Sequence, residues 1–132
     1  MEKVSNYTFG MVHPASPDFE LLISFQRGDH GDESPFDGSG GVLAHAFAPK
    51  DGRLHLDADE NWSFRPPGAT KFDLVGVVTH EIGHLLGLST VRLVAIMYAY
   101  TNPGETKRAL HSDDIAGLFL VFVKSGVRSL LL

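Results

Sequence analysis

Apolar and polar positions alternate along this chain with two different periods. Residues 19–25, Phe-Glu-Leu-Leu-Ile-Ser-Phe, are rich in strand formers, and the polar, glycine-rich stretch from Gly28 to Gly41 that follows predicts a long loop. A second short apolar run, Val42 to Ala48, is closed by the turn signal Pro49-Lys50-Asp51-Gly52. Leu54 to Asp57 then alternates apolar with polar and predicts a half-buried strand; Pro66-Pro67-Gly68 predicts a loop.

From Asp73 the period becomes helical. Asp73 can cap the first turn, and Leu74, Val75, Val77, Val78, Ile82, Leu85 and Leu86 wrap an apolar surface up to Gly87, a residue suited to ending a helix. A last helix is expected from about Ser112, with Asp113 and Asp114 at its positive end and Ile115, Leu118, Phe119 and Phe122 as an inward stripe. Short strands therefore precede two helices along the chain. There is no internal repeat and no low-complexity segment.

Composition narrows the partners. With 132 residues, 43% hydrophobic and 20% charged, the chain suits one globular domain, residues 1–132. A net charge of -5 with scattered Lys and Arg offers no basic stripe to nucleic acid or anionic lipid. No cysteine is present, so any covalent-like staple must be a metal, and seven histidines with 16 acids supply candidate ligands. The start, Met1-Glu2-Lys3-Val4-Ser5, has no signal-peptide pattern. Lys124, Ser125 and Arg128 break the apolar tail, so no membrane span is expected.

The chemistry concentrates in His80-Glu81-Ile82-Gly83-His84. On a helix, positions four apart lie one above the other, so His80 and His84 can point at one zinc while Glu81 reaches a water beside it as general base. Two histidines and a glutamate also occur together on helices without a metal, so the pattern gains weight from its surroundings. Gly87 follows His84 by three residues, as in the extended metzincin pattern, and Ala95-Ile96-Met97-Tyr98 resembles the methionine turn below the zinc in that clan.

The segment before the helix carries a more specific resemblance. His30-Gly31-Asp32, Pro35-Phe36-Asp37-Gly38, Leu43-Ala44-His45-Ala46-Phe47 and His55-Leu56-Asp57 with Glu60 and Trp62 resemble the matrix metalloproteinase (matrixin) family block for block, from about Phe9 to Gly117, and are most similar to the plant-type members. The resemblance implies a metzincin (zincin-like) catalytic domain with a small twisted mixed sheet, an active-site helix and a C-terminal helix. It implies zinc-dependent hydrolysis of internal peptide bonds in extended protein substrates. Carried over by position, His30, Asp32, His45 and His55 match a structural zinc site. Asp37, Asp57 and Glu60, with the carbonyls of Gly38, Gly40 and Val42, match a calcium site. His80 and His84 match the catalytic zinc ligands, and Met97 the methionine turn. Val42, Leu43 and Ala44, on an exposed strand edge that receives the peptide, match the substrate-binding residues, as do Tyr98 and Tyr100. The family also implies an extracellular location, in the matrix or at the cell surface; a monomer is expected.

Two departures stand out. The third histidine of the metzincin pattern should fall at position 90, which is Thr90, and no histidine lies between His84 and His111. Neither His111 nor His13 has a spacing that marks it as a replacement. The strand and helix that precede the Asn6-Tyr7-Thr8-Phe9 segment in the family, and its inhibitory cysteine segment, have no counterpart here, and residues 124–132 form an atypical tail. The alternative to an endopeptidase is a catalytically impaired pseudoprotease that keeps the structural metals and binds peptides. A third reading is a gene product that does not fold alone.

Overall fold

The computed structural model describes residues 10–11, 20–47, 51–90 and 95–125. Within them, β1 (Leu22–Gln26), β2 (Ala44–Ala46) and β3 (Arg53–Asp57) form one sheet in the order β1-β3-β2; β4 (Trp62–Ser63) and β5 (Phe72–Asp73) form a second; α1 (Leu74–Leu85) and α2 (Ser112–Ser125) are the helices. β1 runs parallel to β3 and β2 antiparallel to it, so the larger sheet is mixed. The fold is α+β and metzincin-like.

β3 is the pivot. Its side chains alternate between faces, which sends Leu54 and Leu56 into a core with Leu74 and Val77 of α1. His55 and Asp57 point the other way, yet both are buried. The strand is therefore buried on both faces rather than half-buried as its pattern predicted, because the 28–47 segment folds over the polar side. The β2–β3 register sets His45 opposite His55. In an antiparallel pair such residues share a face, so the register alone brings two imidazoles together.

α1 begins at the expected capping residue, but Asp73 makes no side-chain cap hydrogen bond. Its carboxylate is instead gripped by Arg108, at 2.7–3.1 Å. Leu74 and Val77 are buried as expected, whereas Val75 lies in the exposed range. The helix ends in a Schellman motif: Gly87 N–H donates to His84 O at 2.9 Å and Leu88 N–H to Gly83 O at 2.9 Å. Gly87 takes φ 89°, open to glycine without strain.

A second core joins Leu88, Ile96, Met97 and Leu118, packing α2 against the turn after α1. Leu118 faces inward as predicted, but Ile115 is 39% exposed and leaves the predicted stripe. Its neighbour Asp114 takes the buried position instead, for a reason that belongs to the site. The side chains of Phe119 and Phe122, and the 126–132 tail, lie outside the described residues. No helix among the described residues is long and apolar enough to cross a membrane.

Candidate active site and metal centres

His30, Asp32, His45 and His55 converge. His30 Nε2, His45 Nε2 and His55 Nδ1 lie 2.7, 2.8 and 2.7 Å from Asp32 Oδ2. His30 donates its Nδ1–H to Gly28 O at 2.8 Å, which leaves Nε2 as the nitrogen free to meet a metal. Phe36 and Phe47 wall the cluster: Phe36 stacks on His30 and His45, while Phe47 meets His45 and His55 edge-on. Burial alone would raise the Asp32 carboxyl. Hydrogen bonds from His45, the Ser34 amide and His55 outweigh it and hold the group well below the usual carboxylate range. Burial pulls His55 below its ordinary value, so it stays neutral at pH 7. Three imidazoles and one carboxylate form a closed set of four, which suits zinc in a structural site.

The acidic loop residues are drawn in beside this cluster. Asp37 Oδ1 accepts from Val42 N at 3.1 Å, and Glu60 Oε1 accepts from Gly40 N at 2.5 Å. Gly38, Gly40 and Gly41 adopt φ of 84°, 86° and 79°, which tightens the loop around Asp37. Asp57 is fully buried, and its Oδ2 has no hydrogen-bond partner. Burial first, then the charges of Asp57 and Asp37, push the Glu60 carboxyl up. An unpaired buried carboxylate oxygen among mutually repelling acids in a tight loop fits a hard cation such as calcium. Among the described residues, however, only the His30 cluster gathers three or more ligand atoms within 4.8 Å of one another.

On α1, His80 Nε2 and His84 Nε2 lie 3.1 Å apart. His80 donates Nδ1–H to Ile96 O at 2.7 Å, and His84 donates Nδ1–H to Leu88 O at 2.9 Å. With both Nδ1 atoms committed, both Nε2 atoms carry lone pairs. Two nitrogens bound tetrahedrally at zinc distance sit about 3.3 Å apart, so the bite already fits. Burial lowers the His80 pKa and keeps the ring neutral. Burial also pushes the Glu81 carboxyl up to about 7, a value suited to taking and returning a proton near neutral pH. Catalytic zinc sites use three protein ligands, and this set has two. Thr90 is exposed. His111 Nδ1 lies 3.3 Å from Ser112 Oγ, and His13 lies outside the described residues.

A pocket of about 330 Å³ opens beside these residues. Val42, Leu43 and Ala44 line one side, Tyr98 and Tyr100 another, and His80 and Glu81 complete the wall. All five residues expected to contact substrate thus meet at one cavity. β2 pairs only with β3, which leaves its other edge open among the described residues. Met97 is buried below the helix: a side chain on Gly83 would overlap its sulfur.

Two residues that brace the candidate site were not legible in the sequence. Asp114, read there as a helix-terminus charge, is 1% exposed and accepts from the amides of Ile96 at 3.0 Å, Met97 at 3.2 Å and His111 at 2.7 Å. It ties α2 to the methionine turn, and Ile96 passes that order on to His80. Arg108 carried no motif at all; its fork on Asp73 could be found only from the fold.

A mixed sheet with an open edge strand above a His-Glu-x-x-His helix, and a buried methionine beneath, defines the zincin class of metallopeptidase-like domains. The sequence profile of the family described as Matrixin matches residues 1–122. Over 108 residues the chain is 48% identical to Metalloendoproteinase 1-MMP of Arabidopsis thaliana, covering 78% of this chain and 30% of that protein. Metalloendoproteinase 1 of Glycine max is 51% identical over 104 residues, 74% of this chain and 34% of the relative. Interstitial collagenase of Sus scrofa is 44% identical over 126 residues, 90% and 25% respectively. The chain belongs to the matrixin family, and it spans about a third or less of the length of these relatives.

Proposed function

We propose that residues 1–132 form a single matrixin-type catalytic domain, a zinc-dependent endopeptidase that hydrolyses internal peptide bonds of extended protein substrates. The observation that carries this reading is the meeting of Glu81 and His80 with the 42–44 segment in one pocket. The open edge of β2 would take the substrate backbone as an added strand, and the pocket between Val42 and Tyr100 would take one of its side chains.

His80 and His84 hold two fixed nitrogens toward one point. A zinc ion there would polarise the peptide carbonyl and make a bound water acidic near neutral pH. Glu81, one step round the helix from His80, accepts the proton of the attacking water and returns it to the departing amine. His30, Asp32, His45 and His55 would hold a structural zinc. Asp37, Asp57 and Glu60, with the carbonyls of Gly38, Gly40 and Val42, would hold calcium and so brace the 42–44 segment. We place the protein outside the cell, on family grounds, and expect a monomer.

One observation favours a second reading, the catalytically impaired pseudoprotease. Between His84 and His111 the only histidine, cysteine or acid is Glu105, and its carboxylate is engaged by the Asn102 amide and side chain. The deciding experiment incubates the zinc-loaded protein with an unstructured protein substrate and assigns the products by mass spectrometry. Internal cleavage supports the endopeptidase; intact substrate that still binds supports the pseudoprotease.

A further inference from the structure

We propose that Arg108 is a positioning residue that fixes the width of the candidate substrate pocket by latching its outer wall to the start of α1. This inference rests on the pocket being the peptide site. Asp73 and Gly76 of the α1 end line the cavity, as do Tyr98, Tyr100 and Lys107 on the facing segment. Between these two sides runs one charge-assisted fork. Arg108 Nε donates to Asp73 Oδ2 at 2.8 Å and Nη2 donates to Asp73 Oδ1 at 2.7 Å, while Nη2 also reaches Phe64 O at 3.1 Å. Asp73 is 3% exposed, so this pair is shielded from water on the carboxylate side.

The grip extends to the wall through the adjacent residue. A Cβ built on Gly76 would stand 2.7 Å from Lys107 O, so the absence of a side chain at position 76 is what lets residue 107 lie against the helix. Lys107 then donates Nζ–H to Tyr100 O at 2.9 Å and sits 5.1 Å from the Tyr98 ring centroid. Asp73, Arg108, Lys107 and the two tyrosines therefore form one connected support. Asp73 leaves the amides of its own helix uncapped to make it. Loosening the fork lets the 98–107 wall move away from α1, and an apolar pocket discriminates by size only while its walls hold.

The test measures binding, which does not depend on turnover. The zinc-loaded full chain is titrated with fluorescent peptides that differ only in one pocket-directed side chain, from Ala through Leu and Phe to biphenylalanine. A well-fitting apolar pocket separates neighbours in such a series by about 10- to 200-fold. Arg108→Gln is expected to bring the largest and best-fitting side chains within about tenfold of each other, and Gly76→Ala to act in the same direction. Arg108→Lys is expected to recover only part of the discrimination, because an ammonium lacks the planar fork. Thermal unfolding and zinc content at the His30 cluster, matched to the parent chain, establish that each variant is folded. An unchanged size ranking in folded Arg108→Gln overturns the latch, and so does equal weakening for every peptide. Failure of the parent chain to bind any of the series instead overturns the peptide-site reading, and the latch with it.

Discussion

His80 and His84 present their Nε2 atoms to each other at 3.1 Å, with both Nδ1–H groups spent on backbone carbonyls. The two carbonyls fix the ring orientations and turn both Nε2 atoms toward one point. The support behind His80 can be traced: Ile96 O takes its Nδ1–H, and the Ile96 amide is held by Asp114.

Asp114→Ala is therefore expected to unfold the protein more readily and to weaken zinc at the helix. It strips partners from three backbone amides around a site that is 1% exposed. Uncompensated buried donors cost about 1–3 kcal/mol each, and a total of about 3–5 kcal/mol in urea unfolding is the expected loss. A change under 1 kcal/mol would show that the amides find other partners.

Glu81 gives the metal-free protein a pH dependence with a definite sign. Its folded pKa of about 7 lies above the ordinary 4.5, so the folded state holds the proton more tightly. Stability tied to this group is present below pH 4.5 and is lost as pH rises through 7, by about 3 kcal/mol in all. Glu81→Gln removes that loss. The variant should match the parent near pH 4.5 and exceed it by about 3 kcal/mol at pH 8 in protein lacking zinc at His80 and His84. Equal stability at both pH values would contradict the burial account.

The His30 cluster predicts a strong response to chelation. Its ligands come from the long loop, β2 and β3, so one ion would join three segments of chain. Zinc removal should lower the thermal midpoint steeply, and His55→Ala should cause the same drop with zinc present. Acidification should release the ion, because imidazoles must be neutral to bind it. Differential scanning fluorimetry with and without chelator reads all three.

Asp57 separates calcium binding from ordinary packing. Its buried Oδ2 lacks a partner, so calcium should raise the thermal midpoint of the parent chain by several degrees. Asp57→Asn should abolish that rise. A rise that persists in the variant would place calcium elsewhere.

The sequence made the candidate ligands legible because metal chemistry restricts residue type and spacing together. His30, Asp32, His45 and His55 are far apart in the chain, yet the β2–β3 register and the glycine-rich loop bring them to one point. The helix carrying His80 and His84 was legible for the same reason, and its end at Gly87 followed from backbone stereochemistry. What escaped were contacts that any polar residue can make. Asp114 looked like a favourable charge at a helix start, and Ile115 like its apolar neighbour's partner, until tertiary packing buried the acid and exposed the isoleucine. Asp73 looked like a cap and serves an arginine 35 residues away. β4 and β5, two residues each, are too short for any period to register.

What His80, Glu81 and His84 do with a metal separates the endopeptidase from the pseudoprotease. Zinc per chain is measured by elemental analysis on the purified protein and on Glu81→Ala, alongside cleavage of an internally quenched peptide. The account predicts two zinc ions in both proteins and cleavage in the parent chain alone. One zinc with no cleavage, or cleavage that survives Glu81→Ala, would contradict it.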